Sequence, residues 1–144
     1  MRYCTRADLG NAIPLITLTQ LSNDDPAARQ PNENVIANSV RQAEELVDGY
    51  LRGRYQLPLD PVPTVLCDAV LYLARHWLYQ RRPEGALPDA VISARKDTLK
   101  LLESIRDGVI TLGLPSGHAM PEPGEIRVRA RPQQFTAQLW EGYP

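Results

Sequence analysis

Apolar residues recur at steps of four and three in the first half of the chain. Ile36, Val40, Ala43, Val47 and Tyr50 fall on one stripe, widened by Leu46 and Leu51, while Arg41, Glu44, Glu45, Asp48 and Arg52 lie mainly on the opposite side. The pattern predicts a helix from about Val35 to Tyr55, capped by Asn32 or Asn34, whose side chains can accept from exposed N–H groups. At 1.5 Å per residue such a helix is roughly 30 Å long. A second, wider apolar face runs through Leu66, Ala69, Val70, Leu73, Trp77 and Leu78, with Tyr72 and Ala74 added to it. It predicts a central core helix from Pro63 to Arg81, ended by Arg81 and Arg82 where cations suit the helix dipole. Val91, Thr98, Leu102 and Ile105, flanked by Ile92, Leu99 and Leu101, predict a third helix over Asp89–Asp107, closed by Gly108 in a left-handed turn.

Prolines punctuate the same pattern. The chain has 144 residues and 13 prolines, yet residues 32–57, 64–82 and 89–114 contain none. Proline removes a donor and clashes with the preceding turn, so these gaps are where helices fit. Ahead of them, Thr5–Leu9 reads as a short capped helix, Leu15–Leu21 as a second one after Pro14, and Ser22–Pro31 as a polar loop. After Gly108, Val109–Leu112 reads as a short extended segment closed by Gly113. From Pro115 the composition turns rich in Pro and Gly. Inside that tail, residues 125–131 alternate: Ile126, Val128 and Ala130 on one face, Arg127, Arg129 and Arg131 on the other. This is a strand pattern whose partner is either Val109–Leu112 or an edge on a neighbouring chain. The expected architecture is mainly α: a small bundle of three main helices plus short N-terminal helices over residues 1–114. A short β segment and a Pro-rich extended tail over 115–144 complete it.

Two glycines interrupt the first long helix. Gly49 and Gly53 each cost about 1 kcal/mol against alanine, and their spacing leaves a bare strip that another backbone can approach. Close packing within the fold or across a subunit interface is one reading; fraying ahead of Pro58 is the other.

Charge and chemistry then narrow the function. A net charge of −1 does not draw the chain to nucleic acid or an anionic membrane. Cys4 and Cys67 lie far apart without a CxxC spacing and read as reduced thiols, with a disulfide as the minor alternative. No apolar run has the length of a membrane span or marks a signal peptide, so synthesis in the cytoplasm is expected. Of the two histidines, His76 lies inside the core helix and His118 in a loop without an acid or cysteine nearby; neither has zinc spacing. No nucleotide-binding glycine loop or nucleophile elbow is present. Asn23-Asp24-Asp25 lacks the glycine and terminal carboxylate of a calcium loop and reads as a solvated turn. The expectation is therefore no enzyme, no catalytic residue, no cofactor and no metal. The arginine stripe of Arg127, Arg129 and Arg131 can meet a phosphate or a carboxylate on a neighbouring subunit, with the second favoured.

Several short strings occur in a particular order: Val47-Asp48-Gly49-Tyr50-Leu51, Arg54-Tyr55-Gln56-Leu57-Pro58-Leu59, Val62-Pro63, Cys67-Asp68-Ala69-Val70 and Leu73–Tyr79. Ile105–Gly113 and the opening Tyr3, Thr5, Asp8 and Leu9 join them. Over about residues 1–115 this resembles the Gp36 family of Mu-like phages and prophages. The resemblance implies a virion morphogenesis protein. By analogy of helical layout it implies a head–tail connector: a monomer when free that docks on the portal as a ring. Its partners would be the portal, tail-side neck proteins and further copies of itself, with DNA only as the contents of the channel. It also implies that Asp48 and Arg54 hold the turn between the long helices, and that Leu57, Pro58 and Leu59 set their angle. The expected subunit interface comprises Gly49, Gly53, Ile126, Arg127, Val128, Arg129 and Arg131. The alternatives are a regulatory module that uses the arginine stripe on nucleic acid, and a small enzyme or chaperone-like factor.

Overall fold

A computed structural model describes residues 1–82 and 85–114. Five helices follow in order: α1 (Arg6–Ala12), α2 (Leu15–Ser22), α3 (Glu33–Leu51), α4 (Thr64–Gln80) and α5 (Asp89–Arg106). The three long helices all pack against one another; α1 lies on α4, and α2 on both α3 and α4. The alternating segment at 125–131 and the rest of the tail from 115 lie outside the described residues.

The helices form where periodicity and capping agree. Thr5 and Asp8 make a reciprocal capping box on α1: the Asp8 amide donates to Thr5 Oγ1 at 3.2 Å, and the Thr5 amide donates to Asp8 Oδ2 at 2.7 Å. The Thr5 hydroxyl, which donates to Asp8 Oδ2 at 2.7 Å, and then the Thr5 amide hold the Asp8 carboxyl below its ordinary pKa. Of the two asparagines, Asn32 is the cap of α3, accepting from the amides of Asn34 and Val35. Pro63 stands one position outside α4 as its N-cap. Gly108 has φ +83 just past α5, the left-handed turn its position called for.

The core is mostly aliphatic, built from the expected stripes: Ile36, Val40, Val47 and Leu51 of α3, Leu66, Val70, Ala74 and Leu78 of α4, and Leu102 and Ile105 of α5. Leu9, Ile13 and Leu18 close it from the N-terminal side. Three residues assigned to apolar faces point outward instead. Leu46, Tyr72 and Ile92 are exposed because no described element packs over the flank on which each sits.

Three further expectations are corrected. α3 stops at Leu51, and the amides of Arg54 and Tyr55 turn back onto the Leu51 carbonyl, so Gly53 belongs to a turn and not to the helix. Val109–Leu112 is not a strand. Positive φ at Gly108 and Gly113 turns the chain at both ends of the segment. Its amides are also engaged elsewhere: Ile110 donates to the Ser104 carbonyl at 3.1 Å, and Leu112 to the Tyr55 hydroxyl at 3.2 Å. Among the described residues there is no strand. Finally, Glu44 and Asp48, read as part of a solvated face, are buried to 3% and 2% exposure because the N-terminal segment lies over them.

The C-terminal ends of α3 and α5 meet at one junction. The Arg106 guanidinium lies 5.8 Å from the centre of the Tyr50 ring. Arg54 covers Gly108, and buried Tyr55 receives the Leu112 amide. Leu57 and Leu59, in the connection to α4, pack into the core between these points.

Candidate functional site

The first ten residues are fastened to α3 through two carboxylates. Glu44 Oε1 accepts from the Arg2 amide and from the Tyr3 amide at 3.1 Å. Asp48 accepts from the Tyr3 hydroxyl at 2.5 Å and from Arg2 Nη1 at 2.7 Å. Glu44 and Asp48 are four apart and so stand one above the other on the same helix face. Burial and the Asp48 acceptor both favour the neutral phenol, so the Tyr3 pKa is pushed well up. Asp48 and Arg54 thus do not hold a turn together: one fastens the N-terminus, the other covers the end of α5.

The same fastening positions α1 and, through it, α2. Leu18 and Leu21 of α2 are buried, and its far end is held by α4. Arg81 Nη1 donates to the carbonyls of Leu21 at 3.1 Å and Ser22 at 3.3 Å, and Arg82 Nη2 donates to that of Asn23 at 2.6 Å. The two cations therefore serve the C-terminal carbonyls of α2 as well as closing α4. Arg81 Nη2 also pairs with Asp24 at 3.0 Å. The Asn23-Asp24-Asp25 turn is thereby organised by protein partners: Asp25 Oδ1 accepts from the Ala27 amide and Asn23 Nδ2 donates to the Gln30 carbonyl. No cluster of three potential metal ligands occurs among the described residues.

What this mounting presents is apolar. Leu15 is 63% exposed and Ile16 74% exposed at the start of α2. Beside them a shallow hollow is lined by Thr19, Gln20, Pro26, Ala28 and Arg29. Adjacent large apolar side chains in water, on a helix whose other face and far end are fixed, form a surface suited to another protein. The sequence reading placed α2 but missed this face. The signal was available: Leu15, Ile16, Leu18 and Leu21 are more apolar positions than one face of so short a helix can bury. Val109, 80% exposed, and Ile110 form a second outward apolar pair just beyond α5.

A groove between α4 and α5 has a different character. Val65, Ala69, Ala94 and Leu101 form its apolar floor, with Tyr72 at one side, and Asp68 and Asp97 are exposed carboxylates on its walls.

Gly49 remains inside α3, near its end. Among the described residues, a Cβ built on Gly49 or on Gly53 meets nothing within 4 Å, so no other described backbone approaches either one. That removes the intramolecular reason for the pair and leaves the surface at Gly49 open. Ile126, Arg127, Val128, Arg129 and Arg131 fall outside the described residues. His76 is half-buried, its pKa lowered by burial and by the nearby Arg95 charge. Cys4 is buried and Cys67 half-buried, and the two are not joined. No described helix is long and apolar enough to cross a membrane.

The family model for Gp36 of bacteriophage Mu matches residues 3–130. The chain belongs to the bacteriophage Mu Gp36 family. The match covers residues 125–130 of the alternating segment, so the tail is part of the family pattern well beyond residue 115, where the resemblance read from the sequence stopped. The chain is also similar to gene product J of Escherichia phage Mu, with 30% identity over 138 residues, 94% of this chain and 95% of that protein. It is 36% identical over 112 residues to the Mu-like prophage FluMu protein gp36 of Haemophilus influenzae, covering 78% of this chain and 76% of that one. As a Gp36-family member the chain is a Mu-like phage protein with a mainly helical fold.

Proposed function

We propose that this Gp36-family chain is a structural subunit of the tailed-phage particle: a head–tail connector that docks on the portal as a homo-oligomeric ring. It is made in the bacterial host cytoplasm as a monomer, and it ends in the virion neck. The observation that carries this reading is the rigidly mounted apolar pair Leu15 and Ile16, on a protein of a Mu-like phage family. A ring subunit needs a body that keeps its shape and surfaces that bury apolar side chains only on assembly. The second outward pair, Val109 and Ile110, supports the same reading, since a ring subunit has a neighbour on each side. The bare helix surface at Gly49 offers a place where a neighbouring backbone can come close.

The direct test is a phage in which this gene is silenced and then complemented. Particles made without the chain should be tailless, filled or partly filled heads. Electron cryo-microscopy of complemented particles should show the five-helix body in a ring between portal and tail. Complete, infectious virions lacking the chain would overturn the proposal.

A further inference from the structure

We infer that the α4/α5 groove is the docking site for residues 125–131 of the same chain. The groove combines two features that the segment mirrors. Its floor is apolar, formed by Val65, Ala69 and Leu101, and its walls carry the exposed carboxylates of Asp68 and Asp97. Among the described residues, neither carboxylate has a cationic partner within ion-pair distance. The segment alternates Ile126, Val128 and Ala130 with Arg127, Arg129 and Arg131. Laid in extended form between two helices, it sets three small or branched apolar side chains on the floor. Its arginines then face away from the floor, and their long side chains bend over to the rims, where a guanidinium can engage a carboxylate through paired N–H donors.

Charge favours this groove over two other hollows among the described residues. The hollow beside Leu15 and Ile16 contains Arg29, which repels an arginine-rich segment. The hollow beside Glu44 is lined also by Arg2 and Arg41, and Arg2 already pairs with that carboxylate. Reach also permits it. The Leu112 amide is bonded to Tyr55, which fixes the end of the described chain close to the connection leading into α4. Residues 115–124 can then span up to about 35 Å at roughly 3.5 Å each. The groove from Val65 to Tyr72 runs only about 10 Å along α4. A tether of this length holds the segment at roughly millimolar effective concentration, so modest pairing energy is enough to fill the groove. The inference does not depend on the connector reading; it concerns the free subunit.

The test uses the full chain, isotopically labelled, with Arg127→Glu, Arg129→Glu and Arg131→Glu introduced together. The substitutions lie outside the five described helices, so the circular dichroism contributed by those helices should be unchanged. Amide shifts should change at Asp68, Ala69, Tyr72, Ala94, Asp97 and Thr98, several-fold more than across α1 and α2. The wild-type spectrum should move toward that of the variant in high salt and should not change on dilution. Reversing Asp68 and Asp97 to Lys in the triple variant should restore the filled-groove shifts. Shift changes confined to the tail, or centred on Leu15 and Ile16, would overturn the inference. So would changes that vanish on dilution, because the occupant would then be a second copy.

Discussion

The guanidinium of Arg54 lies directly over the α-carbon of Gly108. A Cβ at that position would fall 1.9 Å from Arg54 Nη1, and the residue sits at φ +83. Two independent constraints therefore select glycine where α5 ends: a left-handed backbone and an occupied space. Gly108→Ala incurs about 1–2 kcal/mol for the backbone alone and must also displace Arg54. We expect a loss of roughly 1–3 kcal/mol in urea unfolding. Arg54→Ala in the same background should return part of that loss, because it frees the space but not the dihedral. Equal losses with and without Arg54 would show that the side chain yields freely.

Gly49 makes the opposite prediction. It lies in the last turns of α3 with open space where a Cβ would go. Gly49→Ala should stabilise the isolated subunit by about 0.5–1 kcal/mol, the helix-propensity difference. If Gly49 is kept bare for a neighbouring subunit, the same variant should lower phage yield while raising the melting temperature. An unchanged yield removes Gly49 from the interface.

These two glycines show what the sequence made legible. Gly108 followed from local pattern: a periodic stripe ending in Arg106-Asp107-Gly108 marks a helix terminus. The three long helices, the capping box at Thr5 and Asp8, and most of the core followed in the same way, because they depend on residues within a turn or two of one another. The site did not. Glu44 and Asp48 sit on the flank of α3, where periodicity assigns charge to water, and only the fold brings Arg2 and Tyr3 over them from more than forty positions away. Tyr55 was read as the end of a helix, but it accepts an amide bond from beyond α5. The exposure of Leu15 and Ile16 depends on which elements fail to cover α2, and no local pattern encodes that.

The fastening of the N-terminus gives a stability prediction. Tyr3→Phe keeps the ring in the core and removes one donor from the buried Asp48 carboxylate, which retains Arg2. Hydrogen bonds to charged groups contribute about 1.5–3 kcal/mol, so a loss in that range is expected. Asp48→Ala should be worse than Tyr3→Phe, because it strands the buried phenol and frees Arg2 together. Amide hydrogen exchange should speed up first in α1, the element this contact anchors. Exchange that accelerates uniformly, or not at all, would refute the anchoring role.

Burial pushes the Cys4 thiol up to about 11. Against an ordinary thiol at about 8.5 this leaves at least a hundredfold less thiolate near neutral pH. Iodoacetamide should modify half-buried Cys67 before Cys4, with Cys4 reacting at the rate of local opening. The sign of the linkage follows from the raised value. The contribution to stability is complete below the unfolded thiol pKa, about 8.5. It is lost as pH rises from there through about 11. Cys4→Ser and Cys4→Ala should therefore both flatten the alkaline limb of the stability profile, as measured by urea midpoints between pH 8 and 11. A profile unchanged by either substitution would assign the limb to other groups, Tyr3 first among them.

The outward pair on α2 provides the sharpest separation of fold from function. Ile16 is 74% exposed, so Ile16→Asp removes almost no packing, and surface changes of this kind usually stay within about 0.5 kcal/mol. The monomer should fold, with an unaltered melting curve. In an assembled ring, however, the same carboxylate would have to be desolvated without a partner, which costs several kcal/mol per interface. Complementation with Ile16→Asp should therefore fail, while Leu46→Asp, at a less exposed apolar site on another face, should succeed. If both variants complement fully, α2 is not an assembly surface. If both fail, the ring grips the body more widely than the exposed pair on α2 implies.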